Sequence, residues 1–97
     1  MNTRNHILSA LSDLKAEIQA NYKVREIGVF GSVIRGEQGQ MSDIDVLVDF
    51  EEDANLFDLV GLALFLEEKL LRKVDIVSKR ALRSEIRETV LREVSTI

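Results

Sequence analysis

Two short runs carry residues whose types and spacing could do chemistry together. Gly31-Ser32-Val33-Ile34-Arg35-Gly36-Glu37 leaves one apolar stretch through a glycine and a serine, and Ser42-Asp43-Ile44-Asp45-Val46-Leu47-Val48 enters a second through two aspartates. In Asp43-Ile44-Asp45 the period of two along a strand sends both carboxylates to one face, with Cα atoms about 6.6 Å apart. Two like charges about 4 Å apart repel by roughly 4 kcal/mol at an effective dielectric of 20, a penalty that a divalent cation removes. Asp75, in Lys73-Val74-Asp75-Ile76-Val77, is placed to add a third carboxylate from another apolar strand. A buried aspartate without a partner there would be costly, which argues for a role.

Oxygen donors alone suit Mg²⁺, with Mn²⁺ an alternative, and Mg²⁺ characteristically joins a few carboxylates to substrate phosphates and water. With no cysteine and one histidine, the chain disfavours zinc. Asp43, Asp45 and Asp75 together could hold two ions about 3.5–4 Å apart, one activating an attacking hydroxyl and the other neutralising a triphosphate and its leaving group. On that model Asp75 sits near the attacking hydroxyl, as metal ligand and candidate base. Gly31 allows backbone to approach phosphate, a helix starting after it aims N–H groups and the Ser32 hydroxyl at anionic oxygens, and Arg35 one turn later reaches the same phosphates. Each piece alone is weak: Gly-Ser is a common turn and Asp-x-Asp a common pair. Their combination points to nucleotidyl transfer.

The elements that must position these residues can be read from periodicity. Ile7, Leu8, Leu11, Leu14 and Ile18 recur at helical spacing and predict a helix over about residues 4–21 whose apolar stripe covers a sheet. Val24 to Phe30 reads as a buried strand stopping at Gly31, and Gly36, Gly39 and the residues through Ser42 as a loop. Ile44 to Phe50 is a second strand, with Ile44, Val46 and Val48 on one face and Asp43, Asp45, Leu47 and Asp49 on the other. Asn55 caps a helix from Leu56 to about Leu71, with Asp58 at its third position, and Leu56, Leu59, Val60, Ala63, Phe65, Leu66 and Leu70 form a broad buried face. Lys73 to Ser78 is a third strand. Leu82, Ile86, Val90, Val94 and Ile97 predict a final amphipathic helix with Arg83, Arg87, Glu88, Arg92 and Glu93 outside. The order contains one β-α-β unit, so the expected class is α/β (α+β), a small mixed sheet of about three strands backed by helices.

At 97 residues and 45% hydrophobic composition, residues 1–97 are expected to form a single domain. A net charge of −4 argues against a broad basic grip on nucleic acid. No apolar run approaches the roughly 20 residues that span a bilayer, and the absence of cysteine fits a reducing compartment, so the expected location is cytoplasmic. Asp49 shares the face of Asp45 but lies about 13 Å along the strand from it and reads as a solvated strand end. Glu51, Glu52 and Asp53 read as loop charges, Glu67-Glu68-Lys69 as an exposed helical face, His6 as incidental, and Tyr22 as closing the first helix. Asp43-x-Asp45 does not open an EF-hand, because Leu47 and Val48 stand where ligand and glycine are required.

On these residues the chain resembles the minimal nucleotidyltransferases of the DNA polymerase beta superfamily, the group paired with HEPN-domain toxins in prokaryotic toxin-antitoxin operons. Gly31-Ser32-Val33-Ile34-Arg35-Gly36-Glu37 is similar to the family's Gly-Ser-x-x-Arg-Gly-Glu signature, Ser42-Asp43-Ile44-Asp45 to its Ser-Asp-Ile-Asp strand, and Val74-Asp75-Ile76-Val77 to the strand carrying its third acid. Leu71 is a departure, since many relatives end that helix in glycine. The resemblance implies a polymerase-beta-like fold and Mg²⁺-dependent transfer of AMP from ATP to a tyrosine of a cognate HEPN ribonuclease. The chain would then be an antitoxin in a hetero-oligomer with that toxin. Two other readings stand beside it: an antitoxin that neutralises by binding alone, and a small-molecule nucleotidyltransferase similar to the aminoglycoside-modifying enzymes. Three clustered acids count against the first, and the absence of room for a second domain against the other.

Overall fold

The computed structural model describes residues 3–36 and 43–97. Helix α1 spans Thr3–Tyr22 and is followed by strand β1 (Val24–Phe30), a single helical turn α2 (Ser32–Arg35), strand β2 (Ile44–Phe50), helix α3 (Leu56–Leu70) and strand β3 (Val74–Ser78). A 3₁₀ turn at Lys79–Ala81 leads to helix α4 (Ser84–Glu93) and a two-residue strand β4 (Ser95–Thr96). The sheet order is β3-β2-β1-β4. β2 runs antiparallel to β1 and parallel to β3, and β4 pairs antiparallel with β1. The parallel pair with α3 between its strands is the expected β-α-β unit. Glu37, Gly39 and Ser42, read above as part of a signature and a loop, lie outside the described residues.

Alternation along β2 divides the molecule into two layers. Ile44, Val46 and Val48 turn to one face and join Ile27 and Val29 of β1, Ile7, Leu11 and Ile18 of α1, Leu62 and Leu66 of α3, and Val33 of α2 in the main core. Side chains at i and i+4 fall on one stripe of a helix, so α1 and α3 each present a row to this face. Leu47 turns to the opposite face, where it packs with Leu82 and Val90 and against Phe30, Val77 and Val94. Helix α4 therefore covers the same face of the sheet that carries Asp45.

Helix α3 begins as its sequence dictates. Asn55 Oδ1 accepts from the amides of Phe57 and Asp58 (2.8 and 3.3 Å), and Asp58 Oδ2 accepts from the Asn55 amide at 2.9 Å, a reciprocal capping box. It ends at Leu71 in the left-handed conformation (φ 56°), where glycine would avoid the roughly 1–2 kcal/mol that a Cβ costs. The broad buried face expected for α3 is narrower than the sequence implied. Leu62 and Leu66 are buried, whereas Leu56 and Val60 join Phe57 and Leu64 among the exposed apolar residues. The helix is apolar nearly all round, and only the stripe through Leu62 and Leu66 meets the sheet.

The C-terminal segment also departs from the expected helix. α4 stops at Glu93, Val94 adopts an extended conformation, and Ser95 and Thr96 pair with Val29 and Gly28, so Val94 and Ile97 are not helical. The Ile97 amide donates to the Ile27 carbonyl at 3.0 Å. Gly28 admits this strand: a Cβ there would lie 2.8 Å from Val94 Cγ2 and 2.9 Å from the Ser95 carbonyl. Glu67 is not a free surface charge, because its carboxylate accepts from the Val74 amide at 3.1 Å and ties α3 to β3. Tyr22 closes α1 as expected, with its ring 5.5 Å from that of Phe65.

Candidate active site

The parallel register of β2 and β3 sets Asp45 directly beside Asp75. Neighbouring strands lie about 4.8 Å apart, so the two carboxylates rise from one face as a pair. The Ile44 amide donates to the Lys73 carbonyl at 2.9 Å and starts this ladder, which fixes the register at the end where the acids sit. Asp43 stands just before β2, exposed and on the same side by the period of two. β3 is the outer strand of the sheet, and Asp75 is exposed on it rather than buried as the sequence suggested, so the cost of an unpartnered buried carboxylate does not bear on its role.

Asp45 also meets the Gly31 turn. Phe30, the last residue of β1, pairs with Asp45, so the chain turns at Gly31 immediately beside that carboxylate. Gly31 is buried with φ 77° and ψ −148°, a region that residues with a Cβ avoid. A Cβ built on Gly31 would collide with the Asp45 carboxyl group. Glycine is thus required twice, for its conformation and for the approach. α2 begins at Ser32 as expected, with the Arg35 amide donating to the Gly31 carbonyl at 3.1 Å, and Gly36 in the left-handed region ends it. The structure therefore brings Gly31, Ser32 and Arg35 together with Asp45 and Asp75 at one end of the sheet.

Electrostatics mark Asp45 as the centre of this group. Its carboxyl is pushed above the ordinary value of 3.8, first by burial, then by Asp75 and Asp43, with Arg35 opposing and Glu93 adding to the rise. A half-buried carboxylate held near two others is costly when ionised, and a cation is the partner that relieves it. Among the described residues, no group of three or more His, Cys, Asp or Glu is arranged so that it could hold a metal ion, so the three-carboxylate set expected from Asp43, Asp45 and Asp75 is not gathered into one cluster. The all-oxygen donor set of Asp45 and Asp75, open at the sheet edge with Asp43 within Coulombic reach, fits a cation that shares its shell with substrate oxygens.

One residue of the site was misread in the sequence. Glu93, assigned above to the outer face of the last helix, is the final residue of α4 and points inward: its Oε1 accepts from the Gly31 amide at 2.6 Å, and both of its oxygens accept from Arg35 Nη1 at 3.0 Å. A signal existed, since a carboxylate in the last turn of a helix opposes the helix dipole and needs a tertiary partner. Asp49 also differs from its reading, being half-buried on the wall of a cavity of about 220 Å³ with Leu47, Leu91 and Val94. Asp53 pairs with Lys23 at 3.0 Å, and His6 is exposed.

Comparison with known proteins agrees with this architecture. The profile of the nucleotidyltransferase domain family matches residues 11–96. The chain is 49% identical over 94 residues to the protein adenylyltransferase MntA of Thermococcus cleftensis, covering 97% of this chain and 95% of that one. Its fold superposes on a solved structure described as a minimal nucleotidyltransferase with a TM-score of 0.83, at 41% identity and with coverage of 100% of this chain and 97% of the other. A toxin-antitoxin crystal structure with AMP-PNP matches with a TM-score of 0.69 at 28% identity, over 96% of this chain and 70% of that one. Sequence, fold and site geometry agree: the chain belongs to the nucleotidyltransferase domain family, as one of its minimal nucleotidyltransferases, and is an enzyme.

Proposed function

We propose that this protein transfers the adenylyl group of ATP to a tyrosine hydroxyl of a cognate HEPN-domain toxin, in the presence of Mg²⁺, and thereby acts as its antitoxin. The observation that carries the reading is the Asp45–Asp75 pair set against the Gly31 turn. Support for the acceptor class comes from the likeness to a protein adenylyltransferase and to a chain of a toxin-antitoxin crystal structure with AMP-PNP.

In this reading Asp43, Asp45 and Asp75 would hold the cations, and Ser32 and Arg35 would bind the phosphates that the Gly31 turn lets the backbone approach. Divalent cations supply charge neutralisation at the triphosphate and lower the pKa of the attacking hydroxyl. Asp75 takes the hydroxyl proton as the acceptor oxygen bonds to the α-phosphorus, and pyrophosphate leaves with the electron pair of the broken P–O bond. Its exposed position on edge strand β3 gives a macromolecular acceptor access from the side. Arg35 and the Ser32 hydroxyl orient the departing phosphates through charge-assisted hydrogen bonds. The acidic composition, net −4, suits a protein acceptor that brings its own contacts.

Label position tests the chemistry. ATP labelled at the α-phosphate should mark the toxin, and ATP labelled at the γ-phosphate should not, with transfer lost on chelating the divalent ion. Transfer of γ-label would replace adenylylation by phosphorylation. A stable complex with no label would favour neutralisation by binding alone.

A further inference from the structure

The tie between the end of α4 and the Gly31 turn joins residues far apart in sequence at the centre of the site. We infer that Glu93 is a positioning residue for the nucleotide: it locks the Gly31–Ser32 turn and aims Arg35 before ATP arrives. The inference rests on the nucleotide-binding role proposed above for Gly31, Ser32 and Arg35.

Three features carry it. First, one carboxylate serves both elements, with Oε1 accepting from the Gly31 amide at 2.6 Å and from Arg35 Nη1 at 3.0 Å, and Oε2 accepting from the same nitrogen at 3.0 Å. Such charge-assisted bonds are about twice as strong as neutral ones, and both carboxylate oxygens hold Arg35 Nη1, which fixes the end of that side chain beside the turn. Second, the Glu93 side chain is only 19% exposed while that of Arg35 is 48% exposed, so the carboxylate lies inside the turn and the Arg35 side chain reaches the surface beside it. Third, Glu93 is not on a mobile tail. The Val94 amide donates to the Val90 carbonyl at 2.9 Å, Val94 packs over Leu47, and Ser95 and Thr96 are paired with β1. A carboxylate anchored on both sides is suited to holding its partners through the reaction cycle. It is poorly suited to swinging away as a substitute for phosphate.

Fixing a turn and a guanidinium in advance removes an ordering cost from binding. The placement itself runs against the dipole of α4, so the local cost is offset only by the bonds made to Gly31 and Arg35.

Equilibrium binding of ATP with Mg²⁺ to the full chain, measured by calorimetry, tests the inference. Glu93→Ala should weaken binding by about 10- to 100-fold, the range seen when a supporting partner of a site residue is removed. Glu93→Gln keeps an oxygen for the Gly31 amide but loses the charge facing Arg35, and should fall between the two while melting as a folded protein. On an Arg35→Ala background, Glu93→Ala should add much less than it does alone, because the two residues act through one contact. Unchanged affinity in both Glu93 variants would overturn the inference, as would full additivity with Arg35→Ala. Tighter binding would also overturn it and would make Glu93 a competing anion. If the unaltered chain itself failed to bind ATP with Mg²⁺, the nucleotide-binding reading would fall first, a result distinct from any of these.

Discussion

Asp45→Asn should abolish transfer and at the same time make the protein more stable in the absence of nucleotide and metal. The loss of activity follows from the position of Asp45 between Asp75 and the Gly31 turn, where its charge is needed by the cation and cannot be replaced by an amide. Removing one group from a preorganised electrostatic site lowers turnover by on the order of a hundred- to a thousandfold. The gain in stability follows from the direction of its titration. Burial, then Asp75 and Asp43, hold its carboxyl above the ordinary value of 3.8, so the folded chain binds that proton more tightly than the unfolded chain does. Ionising Asp45 therefore costs stability. The cost is absent below the ordinary value, grows as the pH rises through the window between it and the raised one, and is present in full above that window. The unaltered protein should lose part of its stability as pH rises across this interval, and the Asn variant should lose less. Mg²⁺ should raise the melting temperature of the unaltered chain and leave that of Asp45→Asn nearly unmoved. Thermal melts across pH at fixed ionic strength, with and without Mg²⁺, check this, and an Asn variant less stable than its parent at neutral pH would contradict it.

Gly31→Ala should damage both the fold and the chemistry. At φ 77° and ψ −148° a Cβ is strained whatever surrounds it, and here it would also meet the Asp45 carboxyl. Backbone strain of this type costs about 1–3 kcal/mol. For a domain of this size each kcal/mol lowers the melting temperature by roughly 4–8 °C. If the backbone yields instead, Asp45 and the turn separate, and a displacement of about 1 Å in a reacting constellation can cost on the order of a hundredfold in rate. Transfer measured well below the melting temperature of the variant separates the two effects. A variant that melts lower yet transfers at the parental rate would show that the contact between turn and carboxylate is structural only.

Much of this arrangement was legible in the sequence because it rests on local rules. The period of two placed Asp43 and Asp45 on the face opposite Ile44, Val46 and Val48. The alternation of β3 put Asp75 where parallel pairing could bring it beside Asp45, and Asn55 with Asp58 announced the start of α3. What was missed depends on contacts that no local pattern encodes. α3 is apolar on nearly every side, so periodicity found Leu66 but not Leu62 on the face that meets the sheet, and could not say that Leu56 and Val60 face outward. β4 has two residues, too few to show alternation, and its pairing with β1 depends on the missing side chain of Gly28. Glu93 followed the helical pattern as an outer residue, and its partners Gly31 and Arg35 lie 62 and 58 residues earlier in the chain.

The most direct measurement of the central claim is the intact mass of the cognate HEPN-domain toxin after incubation with this protein, ATP and Mg²⁺, beside an Asp43→Ala, Asp45→Ala double variant. The account predicts that the toxin gains the mass of one or more adenylyl groups only with the unaltered protein, and that fragmentation places them on tyrosine. An unchanged toxin mass in a stable, inactive complex would contradict the account and leave binding alone as the means of neutralisation.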